Sequence, residues 1–242
     1  MTNGRSSDDS GSIAACARIR SASAGRPMVV AQLGQSLDGR IATPTGESRW
    51  INRDAALDHV HRLRASVDAV VVGIGTLIAD DPMLNVRRVA GLNPARVVID
   101  PNGRLPETGR WLAEDGARRV VVRAGAGPVP AGVEVIQLSH VDGALDPNAI
   151  VAALAAAGLP RLMIEGGART VSAFLDAGAL DRLHVLVAPL ILGSGKTGLD
   201  LAPVARLADA VRPTATVSVL SDGDVLFDCD LRTADGRVAR NA

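Results

Sequence analysis

The stretch Arg161-Leu-Met-Ile-Glu-Gly-Gly-Ala-Arg-Thr-Val-Ser-Ala-Phe-Leu175 constrains the fold most, because an apolar run gives way at a glycine pair to a helical pattern. Its first half reads as a buried strand and its second as the helix that follows. Gly166 and Gly167 at the turn let backbone N–H groups approach an anion closely, and a helix N-terminus adds a dipole that favours phosphate. The same pair also fits a plain tight turn that needs positive φ. Glu165, the last strand residue, is electrostatically awkward beside a phosphate unless it faces a different, hydroxylated ligand. The stretch therefore predicts two adjacent ligands.

The rest of the chain repeats the alternation. Apolar runs beginning at Met28, Ala69, Ala95, Arg119, Val133 and Leu183 predict strands, separated by Gly- and Pro-rich connections. A helical segment is predicted from about Asp54 to Ala65, and a second opens at Asp146-Pro147, with aspartate as N-cap and proline in the first turn. Ser221-Asp-Gly-Asp224 between two apolar runs predicts a hairpin. The expected fold is α/β, with a mostly parallel central sheet, a C-terminal antiparallel hairpin and flanking helices. Residues 1–25 are small and polar with scattered arginines and predict a disordered tail, residues 26–232 the folded domain, and residues 233–242 a second tail.

Several function classes are excluded. The formal net charge is zero, so nothing favours nucleic acid or an anionic membrane surface. No apolar run reaches membrane-spanning length. Cys16 and Cys229 form no CxxC or Cys/His cluster, so neither a metal site nor a disulfide framework is expected, and a reducing cytoplasm fits best. His59 and His61 stand two apart and cannot chelate as an i, i+4 pair; they and His184 read as ordinary helix and sheet residues. Gly73 and Gly75 supply the start of a dinucleotide fingerprint, but Ile78 stands where its third glycine belongs. Gly193-Ser-Gly-Lys-Thr197 looks like the end of a P-loop, but Leu190 stands where that motif needs its first glycine.

Taken in order, Ser36-Leu-Asp-Gly39, Glu47-Ser-Arg-Trp-Ile51, Leu63-Arg64, Gly73-Ile-Gly-Thr76, Ala79-Asp-Asp-Pro82, Leu84-Asn-Val-Arg87 and Glu165-Gly-Gly167 form a set that resembles the reductase domain of riboflavin biosynthesis. The resemblance runs from about Arg26 to Asp230. It implies a dihydrofolate-reductase-like fold, a homodimer, and NADPH-dependent reduction of the ribosyl group of a pyrimidine ribosylamine phosphate to a ribityl chain. Many bacterial members of that family carry a zinc deaminase domain; the chain has no His-x-Glu followed by Pro-Cys-x-x-Cys, so deamination is not expected.

Carried over by position, the resemblance places Trp50, Thr76, Asp80 and the run Gly167, Ala168, Arg169, Thr170, Val171 against NADPH, with Gly73, Gly75 and Gly166 on the adjoining turns. It places Ser48, Arg64, Leu84, Arg87 and Glu165 against the substrate. Arg64 and Arg87 suit a phosphate, and an acid suits sugar hydroxyls. Glu165 is the main acid/base candidate and Asp38 a second, although an Asp-Gly turn also explains Asp38. Gln32 stands on the first strand where members usually carry lysine, and Pro101 where a serine often assists the cofactor. Gln32 thus bears on substrate choice: a related reductase of another small carbonyl, imine or pterin-like substrate, or a nucleotide-binding protein without turnover, are the alternatives. Arg123, just after a strand, is the candidate for an adenosine 2′-phosphate.

Overall fold

The uninterrupted Val, Ile and Leu runs become the middle of one nine-stranded sheet in a computed structural model that describes residues 9–21, 25–140 and 143–232. In chain order the elements are α1 (Ser10–Arg20), β1 (Met28–Ser36), β2 (Arg40–Ala42), α2 (Asp54–Arg64), β3 (Ala69–Gly73) and α3 (Ile74–Asp80). There follow β4 (Ala95–Ile99), β5 (Arg119–Arg123), β6 (Glu134–Gln137), α4 (Pro147–Ala156), β7 (Arg161–Glu165) and α5 (Ala168–Asp176). The chain closes with β8 (Arg182–Ala188), β9 (Lys196–Thr197), β10 (Thr214–Val219) and β11 (Val225–Asp230). The sheet order is β10-β11-β8-β1-β7-β3-β4-β5-β6. Pairing is parallel from β8 through to β6, and β11 runs antiparallel between β8 and β10. This is the predicted mostly parallel sheet with its antiparallel C-terminal hairpin.

Both faces are covered, which is why the central strands read as continuous rather than alternating apolar runs. Val29, Ala31, Val71 and Ile164 face α4 and α5, packing with Ile150, Leu154, Val171 and Phe174. Val30, Val70, Val72 and Met163 face the opposite layer, with Leu63 of α2 and Leu77 of α3. Each fully buried Val, Leu, Ile, Phe or Met among these contributes roughly 1.5–3 kcal/mol. Asp146 caps α4 as the sequence predicts, its carboxylate accepting from Asn148 N at 2.9 Å.

One expectation fails. Where the composition of residues 1–25 predicts a disordered tail, Ser10–Arg20 forms α1, with Ala15, Cys16 and Ile19 buried. Its docking rests on small residues and specific polar bonds rather than on a large apolar stripe: Arg18 pairs with Asp228 at 2.6 Å and Arg20 donates to Ser66 at 2.8 Å. Such a helix has almost no hydrophobic periodicity to read. The remainder of that segment, residues 1–8 and 22–24, and the C-terminal residues 233–242 lie outside the described residues.

Candidate active site

The C-terminal ends of β1, β7 and β3 lie side by side, where the chain order changes direction across the sheet; in open parallel sheets this is where ligands bind. Two glycine turns interlock there. After β7, Gly166 and Gly167 adopt φ of 78° and 42°, and a β-carbon at either would lie 2.9 or 2.8 Å from Thr76 of α3. After β3, a β-carbon at Gly73 would lie 2.5 Å from Thr170 Oγ1 of α5. The positive φ expected of the glycine pair is therefore required, and close packing forbids side chains at all three positions. Gly75 is open, with nothing within 4 Å of a built β-carbon.

This cradle fits a dinucleotide. The N-cap of α5 is Gly167, which supplies no side-chain cap, so the first N–H groups of the helix remain available to an anion. Thr76, Thr170, Ala168 and the exposed Arg169 surround that turn, whereas the Val171 side chain is turned into the core.

Next to the glycine turn, Glu165 ends β7 and meets Arg64 of α2 in a bidentate pair, Arg64 Nε donating to Oε2 at 2.9 Å and Nη2 to Oε1. Arg64 Nη1 donates to the Asn85 carbonyl at 2.9 Å, and the side chain is 8% exposed. Arg87 is different. It is exposed, makes no ion pair among the described residues, and donates to Asn85 Oδ1 at 3.0 Å. Partial burial, and after it the nearby Arg64 cation, push its pKa down from the ordinary arginine value, so an arriving anion would be favoured there. The structure thus separates two arginines that the sequence treats as a pair: Arg64 holds the acid and Arg87 is free for a ligand.

His61, three residues before Arg64 and hence on the same helix face, joins this cluster. Its Nδ1 accepts the Arg87 backbone N–H at 3.2 Å, and burial, with Arg64 and Arg87 beside it, lowers its pKa to about 4. The neighbouring loop is strained: Leu84 is 1% exposed at φ 52° and Asp81 has φ 38°. Trp50 completes the set of non-glycine residues with positive φ among the described residues, at 71°. Such backbone costs of order 1–3 kcal/mol each and concentrates at ligand sites.

Other predicted residues are not drawn into the cluster. Asp38 braces a turn, accepting from Ser36 Oγ at 2.6 Å, Leu192 N at 3.1 Å and Gly193 N at 2.7 Å; the Ser36 hydroxyl first, then those amides, pull its pKa down to about 2. An acid so held is a poor proton donor near neutrality. Ser48 and Trp50 lie on the exposed loop between β2 and α2, Trp50 79% exposed. Asp80 is exposed at the end of α3, its carbonyl accepting from Arg110 at 3.0 Å. Gln32 is 8% exposed and in register with both Glu165 and His184. Arg123 is largely buried and donates to the Gly127 carbonyl at 2.9 Å.

Behind Gln32 lies a polar chain that the histidine spacing does not reveal. Arg62 Nη1 donates to Ser12 Oγ at 3.2 Å, Ser12 lies 2.8 Å from His59 Nδ1, and His59 Nε2 lies 3.0 Å from His184 Nδ1. His184 Nε2 stands 3.1 Å from Asp228, which Arg182 also grips. From Arg62 to His184 the donors and acceptors balance when His59 is neutral with its proton on Nε2, whereas His184 Nε2 meets Asp228 as a 3.1 Å contact without hydrogen-bond geometry.

Comparison with known proteins agrees with this architecture. The family model described as the RibD C-terminal domain matches residues 27–218. The chain is 37% identical over 196 residues to the 2,5-diamino-6-ribosylamino-4(3H)-pyrimidinone 5′-phosphate reductase of Methanothermobacter thermautotrophicus, covering 77% of this chain and 90% of that one. It is similar to the crystal structure of Acinetobacter baumannii RibD, with a TM-score of 0.72 and 32% identity over 86% of this chain and 58% of that one. The chain spans about half the length of the curated RibD relatives that it matches. Dihydrofolate reductase from Enterococcus faecalis, complexed with NADP(H), matches with a TM-score of 0.51 and 12% identity over 84% of this chain and 95% of that one; that likeness concerns the fold alone, which is dihydrofolate-reductase-like.

Proposed function

The chain belongs to the RibD C-terminal domain family and is an oxidoreductase, and from that premise we propose that it uses NADPH to reduce the ribosyl group of a pyrimidine ribosylamine 5′-phosphate to a ribityl chain, a step of riboflavin biosynthesis. The observation that carries this reading is the adjacency of Glu165, held by Arg64, to the uncapped Gly166-Gly167 turn. An acceptor for sugar hydroxyls and a seat for a pyrophosphate meet on consecutive residues, as a reaction between a sugar and a dinucleotide requires.

When bound, NADPH supplies the hydride. The protein's own part is positioning. Gly166, Gly167 and the first turn of α5 hold the pyrophosphate, with Thr76, Thr170 and Arg169 around it. Arg87 holds the substrate phosphate. The Glu165 carboxylate, fixed by two hydrogen bonds from Arg64, accepts from the ribose hydroxyls and orients C1 toward the cofactor. Trp50 on its exposed loop would contact the bound NADPH. The chain carries no His-x-Glu followed by Pro-Cys-x-x-Cys, so the proposal assigns it reduction without deamination. We take it to act as a homodimer in the cytoplasm; no helix among the described residues is long and apolar enough to cross a membrane.

The test is NADPH titration followed by turnover. In a Trp111→Phe background, which removes the other tryptophan, a buried one, saturable quenching of Trp50 by NADPH is expected, and Gly167→Val should weaken it at least about tenfold through the clash with Thr76. Adding the ribosylamine phosphate, deaminated or not, should then consume NADPH. Binding without consumption of NADPH would reduce the chain to a nucleotide-binding protein.

Gln32 supports a second reading, a related reductase of another small carbonyl, imine or pterin-like substrate, because a neutral amide lies beside Glu165 on β1. Gln32→Lys separates the two. A gain of severalfold or more in turnover of the ribosylamine phosphate is expected if that is the substrate; no gain favours the other.

A further inference from the structure

Residues 85–87 lie in no strand or helix, yet the two peptide groups that join them are held by three hydrogen bonds to side chains from elsewhere. Arg64 Nη1 donates to the Asn85 carbonyl at 2.9 Å. Val86 N donates to Asn93 Oδ1 at 2.8 Å. Arg87 N donates to His61 Nδ1 at 3.2 Å. Asn93 is itself anchored, its Nδ2 donating at 2.8 Å to Asp115, which pairs with the buried Arg96. The segment directly follows Leu84, whose positive φ leaves the loop without the conformational preference that would hold it unaided. Its geometry is therefore imposed by this clamp, and Arg64 and His61 deliver two of the three bonds from one face of α2.

We propose that His61 is a positioning residue, which by accepting the Arg87 N–H sets the point from which the Arg87 guanidinium reaches the substrate's phosphate. This rests on the assignment of Arg87 to that phosphate above. The acceptor role requires a neutral ring whose proton sits on Nε2. Burial first, then the facing Arg64, Arg87 and Arg88 cations, keep it neutral near pH 7, against the opposing pull of Glu165. His61 thus acts through the backbone of Arg87 and touches no reacting atom.

His61→Ala, His61→Leu and His61→Asn test this, the last because its Oδ1 stands close to the place of Nδ1. With the phosphorylated substrate, His61→Ala and His61→Leu should raise KM by about tenfold, as loss of one structural hydrogen bond allows, while kcat holds within about twofold. His61→Asn should recover most of the loss. With the dephosphorylated substrate, and in an Arg87→Ala background, the same changes should have no effect. An equal KM rise with both substrates, or an Asn variant no better than Leu, overturns the proposal. Wild-type protein that does not reduce the substrate refutes the functional reading alone. The clamp is then decided by hydrogen exchange at the Arg87 amide: faster in His61→Leu and restored in His61→Asn supports it, and unchanged exchange in His61→Leu overturns it.

Discussion

Glu165→Gln is expected to lower kcat/KM by roughly 10²-fold, the scale for misplacing a substrate by about 1 Å, while leaving NADPH affinity within about twofold. The substitution keeps the shape of the side chain but removes its charge and replaces one acceptor oxygen by an NH₂ group. Arg64 now directs Nε and Nη2 at two carboxylate oxygens; against glutamine, one of those N–H groups meets another donor. An 8% exposed guanidinium left partly unpaired costs about 1–3 kcal/mol, so the melting temperature should fall as well. Glu165→Asp distinguishes the two losses. It retains the charge, and should recover much of the stability, but withdraws the carboxylate from the sugar and should stay nearly inactive. A Gln variant within about fivefold of wild type would remove Glu165 from the chemistry and leave it as the anchor of Arg64.

Which parts of this molecule could be read from the sequence follows from the range of each interaction. The β1, β3, β4 and β7 runs are legible because burial on both faces writes itself as consecutive Val, Ile and Leu. The Ser221–Asp224 turn and the Asp146 cap are legible because their chemistry lies within a few residues. The glycine turns were recognisable as turns, but the reason for them was not: Thr76 and Thr170 lie about 90 residues apart and each fills the space left by the other's glycine. The Arg64–Glu165 pair likewise spans 101 residues, so two charges that look free in the sequence neutralise each other in the fold. Helical α1 escaped because its buried face is Ser12, Ala15 and Cys16 with Ile19 its one large apolar residue, too little to show a period, and arginines tether it. β2 and β9, three and two residues long, carry too few side chains to show any period. His59 and His61 escaped for another reason. Spacing by two excludes a shared ligand, but it does not exclude burial of both, one turned toward His184 and the other toward Arg87.

Those two histidines also set how the protein should respond to acid. The His59 pKa is lowered to about 3 by burial, then by the adjacent His184 and Arg62 and against Asp228; that of His61 is lowered to about 4. Both values lie below the roughly 6.5 of an unfolded histidine. As pH falls below about 6.5 the unfolded chain takes up protons that the folded chain refuses, so the associated stability is fully present above that pH and is lost progressively below it. Each such histidine contributes a slope of up to about 1.4 kcal/mol per pH unit, and the slope doubles while both are in play. His61 drops out near pH 4, and His59 continues toward pH 3. The depressed carboxylates lose stability in the same direction but only once pH enters the carboxylate range; at Asp228 burial pushes the pKa up but His184 and Arg182 together outweigh it. Denaturant unfolding between pH 8 and 5 therefore isolates the histidines: a plateau above pH 7 and a limb approaching two protons per molecule below pH 6 are expected. His59→Gln should remove about one proton from that limb whatever it does to the plateau. An unfolding free energy that stays flat from pH 7 to 5 would mean that protonated His59 and His61 are both accommodated in the fold, and that the donor chain from Arg62 to His184 does not hold the fold's polar interior together.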